Sequence, residues 1–165
     1  MFELTPETKD DWWEVEALYD LAFAPGREAL SSYRLRDGVA RITDLSLVAR
    51  DPEGILAGAI RFWPVQIGGA LVLLLGPVAV QPTYQGEGLG GYLSLDSLDR
   101  ARDLGWERAR LVGDAPYYSR FGFDRLEGVI MPPPTNPARV LGNALVPGAW
   151  EGIAGDVERL NTDGT

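Results

Sequence analysis

The stretch LVLLLGPVAVQPTYQGEGLGG, residues 71–91, decides the fold. It consists of an apolar run, a connector that contains a proline, and a turn with glycines at positions 86, 88, 90 and 91. A glycine-rich turn between a strand and a helix directs successive backbone N–H groups and the positive end of the helix at one point. The stretch therefore predicts a phosphate-binding loop and, with it, a phosphorylated cofactor.

Two other phosphate-binding motifs fit these glycines less well. Three of the glycines match the G-x-G-x-x-G of dinucleotide-binding folds, and Asp114 follows at a plausible distance for contact with a ribose. In those folds the glycines follow the strand at once, whereas residues 81–85 intervene here. A Walker-type loop requires a lysine directly after its last glycine, and the only lysine of the chain is Lys9.

Gly76 and Pro77 interrupt the apolar run that precedes the loop. Because proline cannot donate to a central ladder, strand pairing is expected to break or bulge there. Backbone groups exposed in this way can pair with an extended ligand, and a simple kink at a sheet edge is the alternative. We expect the strand at 71–80 to part from a strand at 108–113 and to leave a cleft.

The remaining strands and turns follow from apolar alternation and from turn residues. Strands at 45–50, 55–67 and 71–80 are predicted to form an antiparallel meander, and a helix between 71–80 and 108–113 makes those two strands parallel. Further strands are predicted at 2–4, 140–146, 156–160 and from Phe123 onward. The Pro-rich stretch at 131–137 is predicted to be a surface loop.

Two helices are predicted from their apolar spacing. The first follows a cap at Thr5 and Pro6, and its core face is predicted to carry Trp12, Val15, Tyr19 and Ala22. The second spans 88–104, with a surface pair between Asp96 and Arg100. Its buried face is predicted to consist of Leu93, Leu98, Ala101 and Leu104.

Two separated motifs resemble those of the GNAT N-acetyltransferase superfamily. The segment Gln85-Gly86-Glu87-Gly88-Leu89-Gly90 resembles its Q/R-x-x-G-x-G/A acetyl-CoA motif, and Val78-Ala79-Val80 is similar to its strand approach. Tyr118-Ser119-Arg120-Phe121-Gly122-Phe123 resembles its closing Y-x-x-x-G-F element. Residues 111–116 look like a bacterial YhbS-like subgroup, and the resemblance covers residues 2–123, with a weaker match at 144–150.

The resemblance implies an α/β fold of mixed α+β type in one domain over residues 1–165. Its central mixed sheet is mostly antiparallel, has splayed middle strands and is flanked by helices, with residues 128–165 as a Pro-rich loop and C-terminal strands. The implied activity is transfer of an acetyl group from acetyl-CoA to a primary amine of a small molecule or peptide, by direct attack. A non-catalytic acyl-CoA-binding module and a dinucleotide-binding enzyme are the alternatives.

The resemblance also implies the site residues. The residues expected to bind the cofactor are Val78, Ala79, Val80, Gln85, Gly86, Glu87, Gly88, Leu89 and Gly90. Tyr118 is expected to protonate or stabilise the departing sulfur, since its phenol has a reference pKa of ~10 against ~8.5 for a thiol. Tyr117, one residue away, is the second choice.

No residue stands out as the general base, because the chain has no histidine. Glu28, Asp44, Asp114 and a chain of water molecules remain open. Asp114 is also a good cap for the helical turn that follows it. Arg120 is expected either to contact a coenzyme phosphate or to lie on the surface.

Composition narrows the class of protein. The chain has 165 residues, 45% of them hydrophobic, which suits one domain with a substantial core. It has no cysteine, so disulfides and a cysteine nucleophile are excluded, and no metal is expected. A net charge of −9 argues against binding to nucleic acid or an anionic membrane. The N-terminus and the short apolar runs predict a cytoplasmic protein, and a homodimer is left open.

Overall fold

Strands paired mostly antiparallel form the centre of the protein. The structure is a computed structural model that describes residues 2–22, 41–86, 88–112, 115–126, 128–130 and 139–159. Its strands are β1 (Glu3–Pro6), β2 (Leu47–Arg50), β3 (Leu56–Ile67), β4 (Ala70–Val80), β5 (Arg108–Val112), β6 (Asp124–Arg125), β7 (Val129–Ile130), β8 (Val140–Ala144) and β9 (Gly155–Arg159). Its α-helices are α1 (Trp12–Ala22), α2 (Leu89–Asp103) and the single turn α3 (Ala115–Tyr118).

The sheet has the order β1-β2-β3-β4-β5-β8-β6, and β9 joins it by pairing with both β3 and β7. Among the described strands, β4 with β5 and β7 with β9 are parallel, and the other pairs are antiparallel. The predicted meander is therefore confirmed as β2-β3-β4. The parallel pair follows because α2 carries the chain from the end of β4 back to the start of β5.

A β-bulge divides β4. Ile60 pairs with Val78 and Phe62 pairs with Leu75, so Gly76 and Pro77 together face one residue of β3. Gly76 has a φ of +124°, which glycine adopts far more readily than other residues. The predicted break in the ladder is therefore a bulge toward β3.

The middle strands part at the same point. β5 pairs with β4 only through Ala109 opposite Leu73 and Arg110 opposite Leu74. Beyond Leu74, β4 has no strand partner on this side among the described residues. The splayed middle strands that the sequence predicted are confirmed.

Helices cover both faces of the sheet. On one face, α2 packs Leu89, Leu93, Leu98 and Ala101 into the main core, which includes Leu73 and Leu75 of β4. On the other face, α1 packs Val15, Leu18 and Tyr19 against β2, β3 and Ala79. A third apolar cluster joins β3 and β4 to the late strands. It consists of Val65, Ile67, Val72, Leu74, Val129, Val140 and Val157.

Several local predictions are wrong. Pro6 lies in β1, and the helical segment begins after Thr8, whose N–H donates to the Asp11 carboxylate at 2.8 Å. Trp12 is 39% exposed because the face of α1 that packs on the sheet is centred on Leu18, and Ala22 is exposed too. Leu104 is 55% exposed because it ends α2, where Gly105 turns the chain away.

Candidate active site

The glycine loop at the start of α2 exposes its backbone at Gly86 and Gly88. After β4, residues Pro82–Tyr84 form a short 3-10 turn, and Gly86 and Gly88 then take left-handed φ values of +89° and +78°. A Cβ atom built on either glycine meets no other atom within 4 Å. These glycines are thus required by backbone conformation, and the space beside them is open to a ligand.

A cavity of about 310 Å³ lies against this loop. It is lined by Val80, Tyr84, Gln85, Gly86, Gly88, Leu89, Gly90, Gly91, Tyr117 and Arg120. The cavity thus brings together the end of β4, the loop, the first turn of α2 and the turn after β5. Six of the residues predicted to bind a cofactor line it, and Glu87 lies outside the described residues.

Beyond the bulge, the backbone N–H and C=O groups of successive β4 residues point alternately toward β3 and toward the cleft. The Gln81 N–H donates to the Ala57 carbonyl at 2.8 Å. Because hydrogen-bonded and non-hydrogen-bonded pairs alternate along antiparallel strands, Ala79 directs its polar groups at β3. Val78 and Val80 direct theirs at the cleft where β5 has parted from β4.

Gly90 and Gly91 allow α2 to approach the turn that follows β5. A Cβ atom on Gly91 would lie 2.8 Å from Cζ of Phe121, and one on Gly90 would lie 3.3 Å from the Tyr117 hydroxyl oxygen. The Phe121 carbonyl in turn accepts a hydrogen bond from Nδ2 of Asn143 on β8, at 2.9 Å. Asn143 was not predicted as a site residue, because no sequence pattern around it links it to the loop.

The two neighbouring tyrosines take different positions. Tyr117 lines the cavity, and the Arg120 guanidinium carbon lies 5.2 Å from the centroid of its ring. Tyr118 is half-buried and packs against the main core, with its ring centroid 6.0 Å from that of Phe123. The two rings meet edge to face at 4.9 Å. In the sequence, only the position of Tyr118 at the start of the Y-x-x-x-G-F element distinguished it from Tyr117.

A buried ion-pair network lies on the α1 side of the sheet, opposite the bulge. Arg61, the residue that Gly76 and Pro77 face, donates from Nε and Nη2 to the two Glu7 oxygens at 2.9 and 2.8 Å, and from Nη1 to Glu16. Burial acts to lower the pKa of Arg61, but these hydrogen bonds outweigh it and raise the pKa above its usual value. Glu7 is therefore held as a partner of Arg61, and neither residue was predicted to matter from the sequence.

The predicted general bases are largely outside the described residues. Glu28 and Asp114 lie there, and Asp44 is exposed in a turn before β2. Within the described parts of the chain, no group of three or more acidic side chains could hold a metal ion. None of the described helices is long and apolar enough to cross a membrane.

A family model, a relative of known sequence and two solved structures match this chain. A family model described as acetyltransferase (GNAT) family matches residues 12–123. The chain is 36% identical over 113 residues to an uncharacterized N-acetyltransferase, YhbS, of Escherichia coli strain K12, a match that spans 67% of this chain and 66% of YhbS.

The crystal structure of Escherichia coli YhbS in complex with CoA superposes with a TM-score of 0.83 and 30% identity, over 96% of this chain and 89% of that one. A GNAT family acetyltransferase from Brucella melitensis in complex with acetyl-CoA gives a TM-score of 0.74 and 32% identity, over 97% and 96% of the two chains. The chain belongs to the GNAT family of acetyltransferases.

Proposed function

We propose that this protein is an N-acetyltransferase that transfers the acetyl group of acetyl-CoA to a primary amine of a small molecule or peptide. The observation that carries the proposal is the glycine loop, with open space beside Gly86 and Gly88, next to the cleft between β4 and β5. A loop of this kind suits a pyrophosphate, and a cleft edged by unpaired strand backbone suits the amides of pantetheine. We also propose that residues 1–165 form one domain, since β8 and β9 join the same sheet.

The residues that would hold the coenzyme follow from the site. The N–H groups of Gly86, Gly88 and Gly90 and the positive end of α2 would bind the pyrophosphate. Arg120, which lines the cavity, would make a further contact with a phosphate. The backbone groups of Val78 and Val80 would pair with the pantetheine amides. The dinucleotide alternative is disfavoured, because the turn Pro82–Tyr84 separates the strand from the glycines.

Bound acetyl-CoA would supply a thioester that a neutral amine attacks directly, so the protein needs no nucleophile of its own. The role of the chain is to orient the two reactants and to stabilise charge. A backbone N–H of Val78 or Val80 would bind the thioester oxygen, and a donor of that kind is worth ~3 kcal/mol in other enzymes. Tyr118 is proposed to give a proton to the sulfur, with Tyr117 as the alternative because it lines the cavity.

The proposal is tested by calorimetry and by release of free thiol. Wild-type protein is titrated with CoA and, separately, with NAD, and is then incubated with acetyl-CoA and a panel of primary amines. We expect binding of CoA without binding of NAD, and thiol release that depends on the amine. Binding of CoA without amine-dependent thiol release would identify a non-catalytic acyl-CoA-binding module instead.

A further inference from the structure

Arg110 is an arginine buried in the middle of the sheet. Its side chain is 0% exposed. None of its three guanidinium nitrogens has a hydrogen-bond partner among the described residues. A buried cation without a partner is costly, and proteins normally pair it or replace it by an apolar side chain. Such a residue therefore indicates a ligand that supplies the missing acceptor.

We propose that Arg110 recognises a carboxylate on the acceptor, so that the preferred amines of this enzyme carry a carboxylate group. This inference rests on the proposed acetyl transfer. It deepens that proposal, because it assigns a chemical class to the amine and a recognition residue to the acceptor side of the cleft.

The position of Arg110 supports this role. It pairs with Leu74 of β4 on one side and with Gly142 of β8 on the other. Its neighbours Ala109 and Leu111 pack with α2, so alternation along β5 directs Arg110 to the opposite face, where α1 lies. The pair with Leu74 is the last before β4 and β5 part. An acceptor that approaches the cleft from the face opposite α2 would meet Arg110 at the floor of that cleft.

The surroundings of Arg110 are apolar. Leu74 belongs to the third apolar cluster, and Leu126 lies over Gly142, where a Cβ atom would come within 2.6 Å of its Cδ2. Burial lowers the pKa of Arg110 to about 10, so the guanidinium remains charged at neutral pH. In this environment a bidentate pair with a carboxylate is much stronger than it would be in water.

A second buried donor lies on the same side of the sheet. Nε1 of Trp150 has no hydrogen-bond partner among the described residues, and the ring packs against the cluster that contains Leu74. Indole and guanidinium groups can only donate hydrogen bonds. Trp150 is thus a second buried donor beside the third apolar cluster that has no acceptor among the described residues.

The charge of the region favours a carboxylate over a phosphate. A phosphate monoester carries about 1.5 to 2 negative charges at neutral pH, whereas a carboxylate carries one. Arg61 lies on the same face, but it is already paired with Glu7 and Glu16. Arg110 carries one positive charge and therefore balances a single negative charge.

The first test measures thermal unfolding in sodium propionate, sodium phosphate and sodium chloride at equal ionic strength. The proteins are wild type, Arg110→Met, Arg110→Lys and the control Arg100→Met, which removes a surface arginine of α2. We expect propionate to raise the Tm of wild type and of the control, to raise that of Arg110→Lys less, and to leave Arg110→Met unchanged. In sodium chloride, without propionate or phosphate, the Tm of Arg110→Met should be higher than that of wild type by roughly 4 °C.

The second test measures amine-dependent thiol release with matched amines: β-alanine against ethylamine, phenylalanine against phenethylamine, and 2-aminoethyl phosphate. We expect wild type to prefer the carboxylated member of a pair by tenfold or more in kcat/KM, and Arg110→Met to lose this preference. A propionate shift that persists in Arg110→Met, a larger Arg110-dependent shift with phosphate, or equal use of both members of each pair would overturn the inference.

Different results would overturn acetyl transfer and carboxylate recognition by Arg110. Equal turnover of carboxylated and decarboxylated amines overturns recognition by Arg110 and leaves acetyl transfer standing. An Arg110-dependent propionate shift without any amine-dependent thiol release overturns acetyl transfer and leaves the carboxylate site standing. If Arg110→Met does not fold, Arg110→Lys decides, because a propionate shift equal to that of wild type contradicts bidentate recognition.

Discussion

The hydroxyl of Tyr84 donates a hydrogen bond to the carboxylate of Asp51 and so ties the connector before the glycine loop to the turn between β2 and β3. The same carboxylate accepts the backbone N–H groups of Glu53 and Ile55 at 2.9 and 3.0 Å. The ring of Tyr84 meets Phe2 edge to face, with centroids 5.1 Å apart. Contacts of Tyr84 with Asp51 and Phe2, which lie outside the glycine motif, thus hold the connector before the loop.

Tyr84→Phe is expected to weaken CoA binding without removing any group of the loop. The loss of one anchoring hydrogen bond should reduce affinity by about 3- to 10-fold, because the connector before the loop would be less firmly positioned. Calorimetry with CoA measures this. Tyr92→Phe is the control, because Tyr92 lies on α2 with 58% of its surface exposed. Equal affinities in all three proteins would show that the anchor does not position the loop.

The same variant should change the titration of Asp51. The hydrogen bond from Tyr84 is the main cause that lowers the pKa of Asp51 below its usual value. The stability that Asp51 contributes is therefore present above the unfolded pKa and is lost as pH falls through the lower folded pKa. In Tyr84→Phe the pKa of Asp51 should rise toward its usual value. Carboxylate NMR titration measures it, and an unshifted pKa would contradict the assignment.

Gly88→Val is expected to weaken CoA binding strongly while the fold persists. Gly88 has a φ of +78° and open space beside it, so valine strains the backbone and projects into the proposed coenzyme site. Gly105→Val is the matched control, because Gly105 has a φ of +94°, open space and a position at the far end of α2. Both variants should lose comparable stability, and only Gly88→Val should lose affinity. Parallel loss of affinity in both would remove the loop from the coenzyme site.

Gly91→Ala is expected to destabilise the protein, although alanine favours helix at an ordinary helical position. A Cβ atom at position 91 would lie 2.8 Å from the ring of Phe121, so the ring or α2 must move at a cost of about 1–3 kcal/mol. Denaturant unfolding measures the free energy of unfolding. Phe121→Leu should relieve the clash, so the double variant should lose less than the sum of the single losses. Additive losses would contradict the close contact.

Removal of one tyrosine hydroxyl should separate the two proton donors. Tyr118→Phe keeps the packing against Phe123, and loss of a general acid should lower kcat ~10²-fold or more with little change in CoA affinity. If Tyr117→Phe has this effect instead, the motif position is wrong and the residue that lines the cavity is the donor. Steady-state kinetics with a saturating amine distinguish these outcomes, and native turnover in both variants would exclude a tyrosine donor.

Much of the fold was predictable because its signals are local. The glycines at 86–91 and the Y-x-x-x-G-F element each identify a backbone conformation by themselves, and the family match confirms the resemblance that they indicated. Gly76 and Pro77 predicted the parting of the middle strands, because neither residue suits a continuous central ladder. These conformational preferences of glycine and proline depend little on the rest of the fold.

Features that depend on distant packing were not predictable. The residues around Arg110 in the sequence predict a strand, but its complete burial depends on residues far away in the chain, such as its partners Leu74 and Gly142. The start of the first helical segment was wrong because Thr5-Pro6 and Thr8 carry similar capping signals, and pairing of β1 with β2 decides between them. Asn143 reaches the Phe121 carbonyl only because β8 lies beside β5.

The bulge in β4 also shifts the side-chain phase of that strand. Before it, odd-numbered Leu73 and Leu75 face α2, whereas after it even-numbered Val78 and Val80 take that face and Ala79 faces α1. Deletion of residue 76 alone would turn the bulge into regular strand and leave Ala79 and the two valines on their present faces, because the bulge places two residues where a regular strand has one. A homologous sequence that is one residue shorter at this point should therefore keep the same packing, whereas a one-residue deletion in the regular part of β4 would exchange its two faces.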